Sequence, residues 1–113
     1  MKVLITGGGG FLGQKLAAAL RANPSIAGTL VSGLILADLA APPPMDASFS
    51  VECVAADIGD AVAVNQLFSD APDVIYHLAA VVSGAAEADF DLGMRVNLAG
   101  TMNVLEAART AGT

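Results

Sequence analysis

Tryptophan is absent, tyrosine occurs once and phenylalanine four times, yet 55% of the residues are hydrophobic. The apolar content is therefore mostly Ala, Val and Leu. Short aliphatic side chains suit strands buried on both faces and helices packed closely against them. Positive charge is also scarce. Five Lys and Arg stand against eleven Asp and Glu, a net charge of −6. Such a surface repels phosphate backbones and argues against nucleic acid as a partner. Cysteine occurs once, as Cys53, which excludes an internal disulfide and fits a reducing cytoplasm. No apolar run is long enough to span a bilayer. The apolar start at residues 3–5 runs straight into glycines, unlike a secretory leader. These absences predict a cytoplasmic chain with no membrane partner. A length of 113 residues fits one small domain.

What is present alternates. Residues 2–6 form a short apolar run that ends in four glycines, which reads as a buried strand and a tight turn. Residues 11–22 carry Leu12, Leu16 and Leu20 at helical spacing. Asn23-Pro24 ends that helix, because proline disfavours helical geometry in the residue before it. Residues 34–39 and 51–56 are further strand candidates, separated by a loop with three prolines, Pro42 to Pro44. Asp60 is a plausible N-cap for a helix over residues 61–69. A fourth strand lies in residues 73–80. Residues 87–111 read as mostly helical, with Met94, Leu98, Met102, Leu105 and Ala108 near one face as ordinary core patterning. Gly112 would stop that helix. The stretches 23–32 and the proline loop are expected to be the mobile ones.

Strand and helix in turn predict an α/β fold: a parallel sheet with helices on both faces. The expectation is a partial doubly wound, three-layer sheet of four strands in the order 3-2-1-4. A next strand should follow the last helix, and none does. The fourth strand is then a bare edge, which invites pairing with another chain, so a homo-oligomer is expected.

Chemistry concentrates at the glycine turn. Thr6-Gly7-Gly8-Gly9-Gly10-Phe11-Leu12-Gly13 joins the first strand to the first helix, with Gly7, Gly10 and Gly13 three apart. Glycines so placed allow a turn with unusual backbone angles, close approach to a pyrophosphate, and tight helix–strand packing. The helix N-terminus aims its N–H groups at the phosphates. A glycine-rich stretch alone also fits a flexible loop. The strand before it, the helix after it and an acidic residue about two dozen positions on favour a dinucleotide site. No Gly-Lys-Ser/Thr follows, so this is not a Walker-type loop.

Asp38 closes the second strand. A carboxylate there accepts from both adenosine ribose hydroxyls and repels a 2′-phosphate, and no Arg or Lys follows it closely. NAD is therefore expected over NADP; the alternative is a solvated strand end. Asp57, followed by Ile58, ends the third strand. It either accepts from the adenine amino group, with Ile58 against the ring, or serves as a turn or capping aspartate. Both readings stand.

Four spaced stretches carry a resemblance: the glycine turn, Asp57-Ile58, Tyr76-His77-Leu78-Ala79-Ala80, and Arg95-Val96-Asn97 followed by Gly100-Thr101. Together they resemble the extended short-chain dehydrogenases/reductases, the NAD-dependent family of nucleotide-sugar epimerases and dehydratases. Val81-Val82-Ser83-Gly84 with residues 87–93 resembles the D-erythronate dehydrogenase-like branch, NAD-dependent oxidoreductases of a small four-carbon sugar acid. The resemblance implies a Rossmann half-domain over residues 1–113. Gly7, Gly10, Phe11, Leu12 and Gly13 would surround the pyrophosphate and Asp38 the ribose. Asp57 and Ile58 would contact adenine. Leu78, Ala79 and Ala80 would line the path toward the nicotinamide ribose. Asn97 would support the active site through a backbone or water contact, and Ser83 would touch substrate.

The family's catalytic pair, a Tyr and a Lys four apart after the next strand, is missing. Tyr76 lies in a strand with no Lys four residues on, and Lys2 and Lys15 are elsewhere. The chain is therefore read as the NAD-binding portion of an oxidoreductase, inactive alone. Catalysis and the small-molecule substrate would belong to a full-length parent. The alternatives are a piece of a nucleotide-sugar epimerase/dehydratase, or a non-catalytic NAD-binding or self-associating module. His77, the single histidine, reads as packed or hydrogen-bonded, not as a catalyst. Cys53 reads as a small core residue. Glu87, Asp89 and Asp91 suit a helix start, and no metal is expected.

Overall fold

The computed structural model describes residues 1–113. Its main sheet contains β1 (Lys2–Thr6), β4 (Gly33–Asp38), β5 (Ser50–Ala55) and β6 (Val74–His77). All pairings are parallel, in the order β5-β4-β1-β6. This is the expected 3-2-1-4 arrangement of the four long strands. The register runs from Lys2 opposite Gly33 to Thr6 opposite Ala37, and from Val3 opposite Val74 to Thr6 opposite His77. The C-terminal ends of β1, β4 and β6 therefore meet at one edge of the sheet.

Alternation along the strands divides the core in two. Val3, Ile5, Leu34 and Leu36 pack with Ala17 and Leu20 of α1 (Phe11–Ala22) on one face. Leu4 and Ala37 face the other side. There they meet Val64 and Leu67 of α2 (Ala61–Leu67) and Val104 and Ala107 of α5 (Thr101–Ala111). Helix, sheet and helix make the three layers. Each central strand is buried on both faces, which is why β1 reads as an unbroken apolar run.

Local chemistry sets the ends. Asp60 caps α2, accepting from the Val62 N–H at 2.9 Å. Removing this cap in Asp60→Ala is expected to cost about 1 kcal/mol, read as a lower urea midpoint with an unchanged slope. An unchanged midpoint would mean the cap is dispensable. Helix α1 ends at Asn23, before Pro24, and α5 ends at Gly112 with φ +77°.

Two expectations need correction. Residues 23–32 are not simply a loop: β2 (Ser25–Ile26) and β3 (Thr29–Leu30) form a small antiparallel hairpin. Its turn residues Ala27 and Gly28 both have positive φ, 48° and 82°. Asn-Gly usually marks such a turn, and Ala-Gly gives no such signal. The fourth strand lies within the expected residues 73–80 and ends at His77.

The long final helix is broken into α3 (Ser83–Ala88), α4 (Phe90–Gly93), a π-helical segment (Met94–Gly100) and α5. Asp89 interrupts it and caps α4, accepting from the Leu92 N–H at 3.0 Å. The π segment adds a residue per turn and rotates the face that follows. Met94, Leu98, Met102 and Leu105 are exposed, while the equally spaced stripe two residues on, Val96, Gly100, Val104 and Ala107, is buried. Ala108, the fifth residue of the expected face, is half-buried against the core.

Candidate functional site

The site begins at the turn after β1. Gly7 has φ +72°, a conformation that costs a side-chain-bearing residue free energy. A Cβ on Gly7 would also lie 2.7 Å from the Ala79 nitrogen. The chain after β6 therefore runs hard against the turn. The turn is tied down by Gly8 N–H to the Ala37 carbonyl at 2.9 Å and Gly10 N–H to the Gly7 carbonyl at 3.1 Å. Gly10 begins α1 without a side-chain cap. The N–H groups of Phe11, Leu12 and Gly13 thus point out of the helix start with no capping acceptor. A pyrophosphate suits that vacancy of acceptors, since the helix dipole adds to the same attraction.

Asp38 stands across from the turn at the end of β4. Its Oδ2 accepts from the Gly9 N–H at 3.0 Å and its Oδ1 from the Leu39 N–H at 2.8 Å. A carboxylate offers about four acceptor positions, so about two remain open. A ribose diol presents two donors.

Asp57 follows β5. Its Oδ1 accepts from the Gly59 N–H at 2.8 Å and its Oδ2 from Arg95 Nη1 at 2.7 Å. The Arg95 hydrogen bond, then the Gly59 amide, hold this carboxyl below its ordinary value. The stability this adds is present above the ordinary carboxylate pKa and is lost as pH falls through the lowered one. Asp57 is thus a turn aspartate, and it retains open acceptor positions toward the cavity.

One cavity of about 220 Å³ joins these parts. Gly7, Gly10, Asp38, Asp57, Ile58, Leu78, Ala79 and Ala80 all line it. Its size is below the roughly 300–1,000 Å³ of a whole small-molecule pocket. It suits the adenosine part of a dinucleotide, with an acidic group for the ribose and apolar walls for the base. The fold places it at the carboxyl ends of the strands, beside the point where β4 and β6 leave β1 in opposite directions.

Other expected residues lie outside it. Phe11 and Leu12 are exposed at the start of α1, and Gly13 is buried against the turn. Asn97 does not reach the cavity with its side chain. Its Oδ1 accepts from the Val81 N–H at 2.8 Å and its Nδ2 donates to the Val81 carbonyl at 2.9 Å. Both arms therefore clamp the chain after β6. Ser83 starts α3, exposed and away from the cavity. Sequence reasoning missed Leu39, Leu92 and Val96 as cavity walls. It also missed Arg95, whose partner is 38 residues away. Arg95 stood inside a quoted motif, but nothing in the order of residues named its partner.

Over residues 3–113 the sequence matches the NAD dependent epimerase/dehydratase family. The chain belongs to that family.

Among its relatives, D-erythronate dehydrogenase of Cupriavidus necator is 45% identical, across 99% of this chain and 36% of its own length. A nucleoside-diphosphate-sugar epimerase structure from Agrobacterium tumefaciens superposes with a TM-score of 0.92 at 41% identity. That match covers 99% of this chain and 33% of the other. Uronate dehydrogenase from Agrobacterium tumefaciens, as a Y136A mutant complexed with NAD, matches with a TM-score of 0.76 at 33% identity. Here the coverage is 98% of this chain and 37% of the other. The chain thus spans about a third of the length of these relatives. The parallel sheet, the glycine turn and the family membership agree with one another. No helix is long and apolar enough to cross a membrane.

Proposed function

We propose that the chain is the NAD-binding part of an oxidoreductase that acts on a small sugar acid of the D-erythronate type. The observation that carries the dinucleotide reading is Asp38. It faces the glycine turn across the mouth of a cavity that also holds Asp57 and Ile58. The N–H groups around Gly7, Gly10, Phe11, Leu12 and Gly13 would hold the pyrophosphate. Asp38 would take the adenosine ribose, and Asp57 with Ile58 the adenine. Leu78, Ala79 and Ala80 would form the wall leading toward the nicotinamide end. Asn97 would act through its clamp on Val81, and Ser83 would stand on the substrate side. NAD, when bound, supplies the hydride acceptor. The 45% identity to a D-erythronate dehydrogenase supports the substrate class.

The proton transfer that accompanies hydride transfer needs a general acid/base. Tyr76 is in β6 and the residue four positions on is Ala80. The chain's own part is therefore binding and orientation. A nucleotide-sugar epimerase is the second reading, favoured by the Agrobacterium epimerase structure. Both readings share the NAD site.

Calorimetric titration with NAD and NADP tests the site. The chain should bind NAD more tightly than NADP. Hydrogen bonds to a charged acceptor are worth about 1.5–3 kcal/mol. Asp38→Ala should therefore weaken NAD about 10- to 100-fold and change NADP much less. Equal loss for both nucleotides would remove the reason for preferring NAD. Binding of neither by the wild-type chain would sink the reading.

A further inference from the structure

His77 is the one histidine, half-buried at the end of β6, and the proposed chemistry does not use it. Its Nδ1 lies 2.6 Å from Thr6 Oγ1 and its Nε2 lies 3.0 Å from Thr101 Oγ1. The directions of these bonds can be worked out from their neighbours. Thr101 Oγ1 donates to the Asn97 carbonyl at 2.8 Å. A hydroxyl has one proton, so Thr101 must accept from His77. The imidazole proton is then on Nε2. Nδ1 is left as an acceptor, and the Thr6 hydroxyl donates to it. Thr6 in turn accepts from the Ala79 N–H at 3.4 Å. The Asn97 side chain closes the circuit by clamping both polar groups of the Val81 backbone.

These bonds form a ring: Ala79, Thr6, His77, Thr101, Asn97, Val81. It encloses residues 78–81, the wall of the cavity against the glycine turn. We propose that neutral His77, protonated on Nε2, is a positioning residue that holds this wall for the dinucleotide. The inference rests on the NAD-binding reading above. A second proton on the ring would go to Nδ1. Thr6, fully buried, would then have to turn its own proton away from its only acceptor, and the circuit would open there.

No charge competes for His77. Thr6 and Thr101 are its side-chain hydrogen-bond partners. The charged groups on the elements around it are engaged or turned to solvent. Lys2 of β1 pairs with Asp70, Arg95 of the π segment with Asp57, and Glu106 with Arg109 on α5. Glu87, Asp89 and Asp91 of α3 and α4 are on or near the surface, with Asp89 engaged as a cap. Burial holds the imidazole below its ordinary value of 6.5. The wall is thus fully held above the ordinary value and released as pH falls through the lowered one.

Nitrogen NMR of the chain tests the ring without any ligand, and a single histidine makes the imidazole signals unambiguous. The expected result near neutral pH is the Nε2–H tautomer. The Ala79 and Val81 amides should shift at the same midpoint as His77, below 6.5. An Nδ1–H tautomer, or amides that ignore the titration, would overturn the ring. NAD titration then tests positioning. If NAD lowers the imidazole value by about one unit, its affinity falls as the pH drops from roughly 7.5 through the imidazole midpoint, reaching about tenfold only below both the free and the NAD-bound values. Thr101→Val removes the Nε2 acceptor and should bring the affinity near neutral pH down to the acid value. Thr101→Ser should restore it. A wild-type NAD affinity that is flat over this range would overturn the positioning role. Absence of NAD binding at every pH would instead overturn the dinucleotide reading, and the NMR titration alone would then decide the ring.

Discussion

Gly13→Val is expected to lower the stability of the chain by about 3 kcal/mol or more, enough to unfold a marginal small domain. Gly13 is buried in the first turn of α1, directly against the glycine turn. A Cβ there would overlap the Gly7 carbonyl oxygen and lie 2.8 Å from the Gly8 Cα. Both neighbours are backbone, so no flexible side chain can give way. The turn itself cannot retreat. Gly7 is fixed at φ +72° and Gly8 donates to the Ala37 carbonyl at 2.9 Å. Any outward shift of α1 would uncover Ala17 and Leu20 from the sheet. Replacing glycine within a helix gains up to about 1 kcal/mol of helical propensity for alanine, and less for valine. The overlap outweighs that gain. Urea unfolding followed by circular dichroism reads the result. A wild-type midpoint in the variant would mean that α1 does not pack on the turn as described.

The second large effect separates two neighbouring residues. Val104→Asp should abolish folding near neutral pH, whereas Leu105→Asp should change stability by no more than about 0.5 kcal/mol. Val104 is 3% exposed among Leu4, Val64 and Phe68, and Leu105 is 64% exposed. An ionised carboxylate at position 104 would lose its hydration with no partner to replace it, which costs several kcal/mol. At position 105 it would stay in water. Helical periodicity traced from Met94 assigns Leu105 to the core and predicts the reverse ranking. Thermal unfolding of the two variants therefore tests where the helix face points. Equal losses would place both residues at buried surfaces.

That ranking shows where sequence reasoning stopped. Met94, Leu98, Met102 and Leu105 have helical spacing, and spacing alone does not say which apolar stripe is buried. Val96, Gly100 and Val104 have the same spacing two residues on and take the core, through a π segment over Met94–Gly100. Nothing in the residue types marks a π turn. The hairpin at residues 25–30 was hidden for a similar reason, because Ala27 adopts positive φ where glycine or asparagine would be expected.

The site was more legible. Gly7, Gly10, Asp38, Asp57, Ile58, Leu78, Ala79 and Ala80 line one cavity. In a parallel sheet all C-terminal strand ends share one edge, so residues that close successive strands must converge. The local roles were harder to see. Asn97 holds Val81 and Arg95 holds Asp57, across 16 and 38 residues. Such partners depend on how far α5 and the π segment lie from the strand ends.

By itself, the sequence determined the alternating strands and helices, the parallel order and the glycine turn. These follow from short-range rules: which residues tolerate a buried strand, which start or stop a helix, and which backbone angles only glycine adopts freely. The tertiary structure alone decided which face of the last helix is buried. It also decided which carboxylates are already engaged, and that His77 lies between two threonines contributed by β1 and α5. Those facts depend on distances between segments remote in the chain, and they are set only when the helices settle on the sheet.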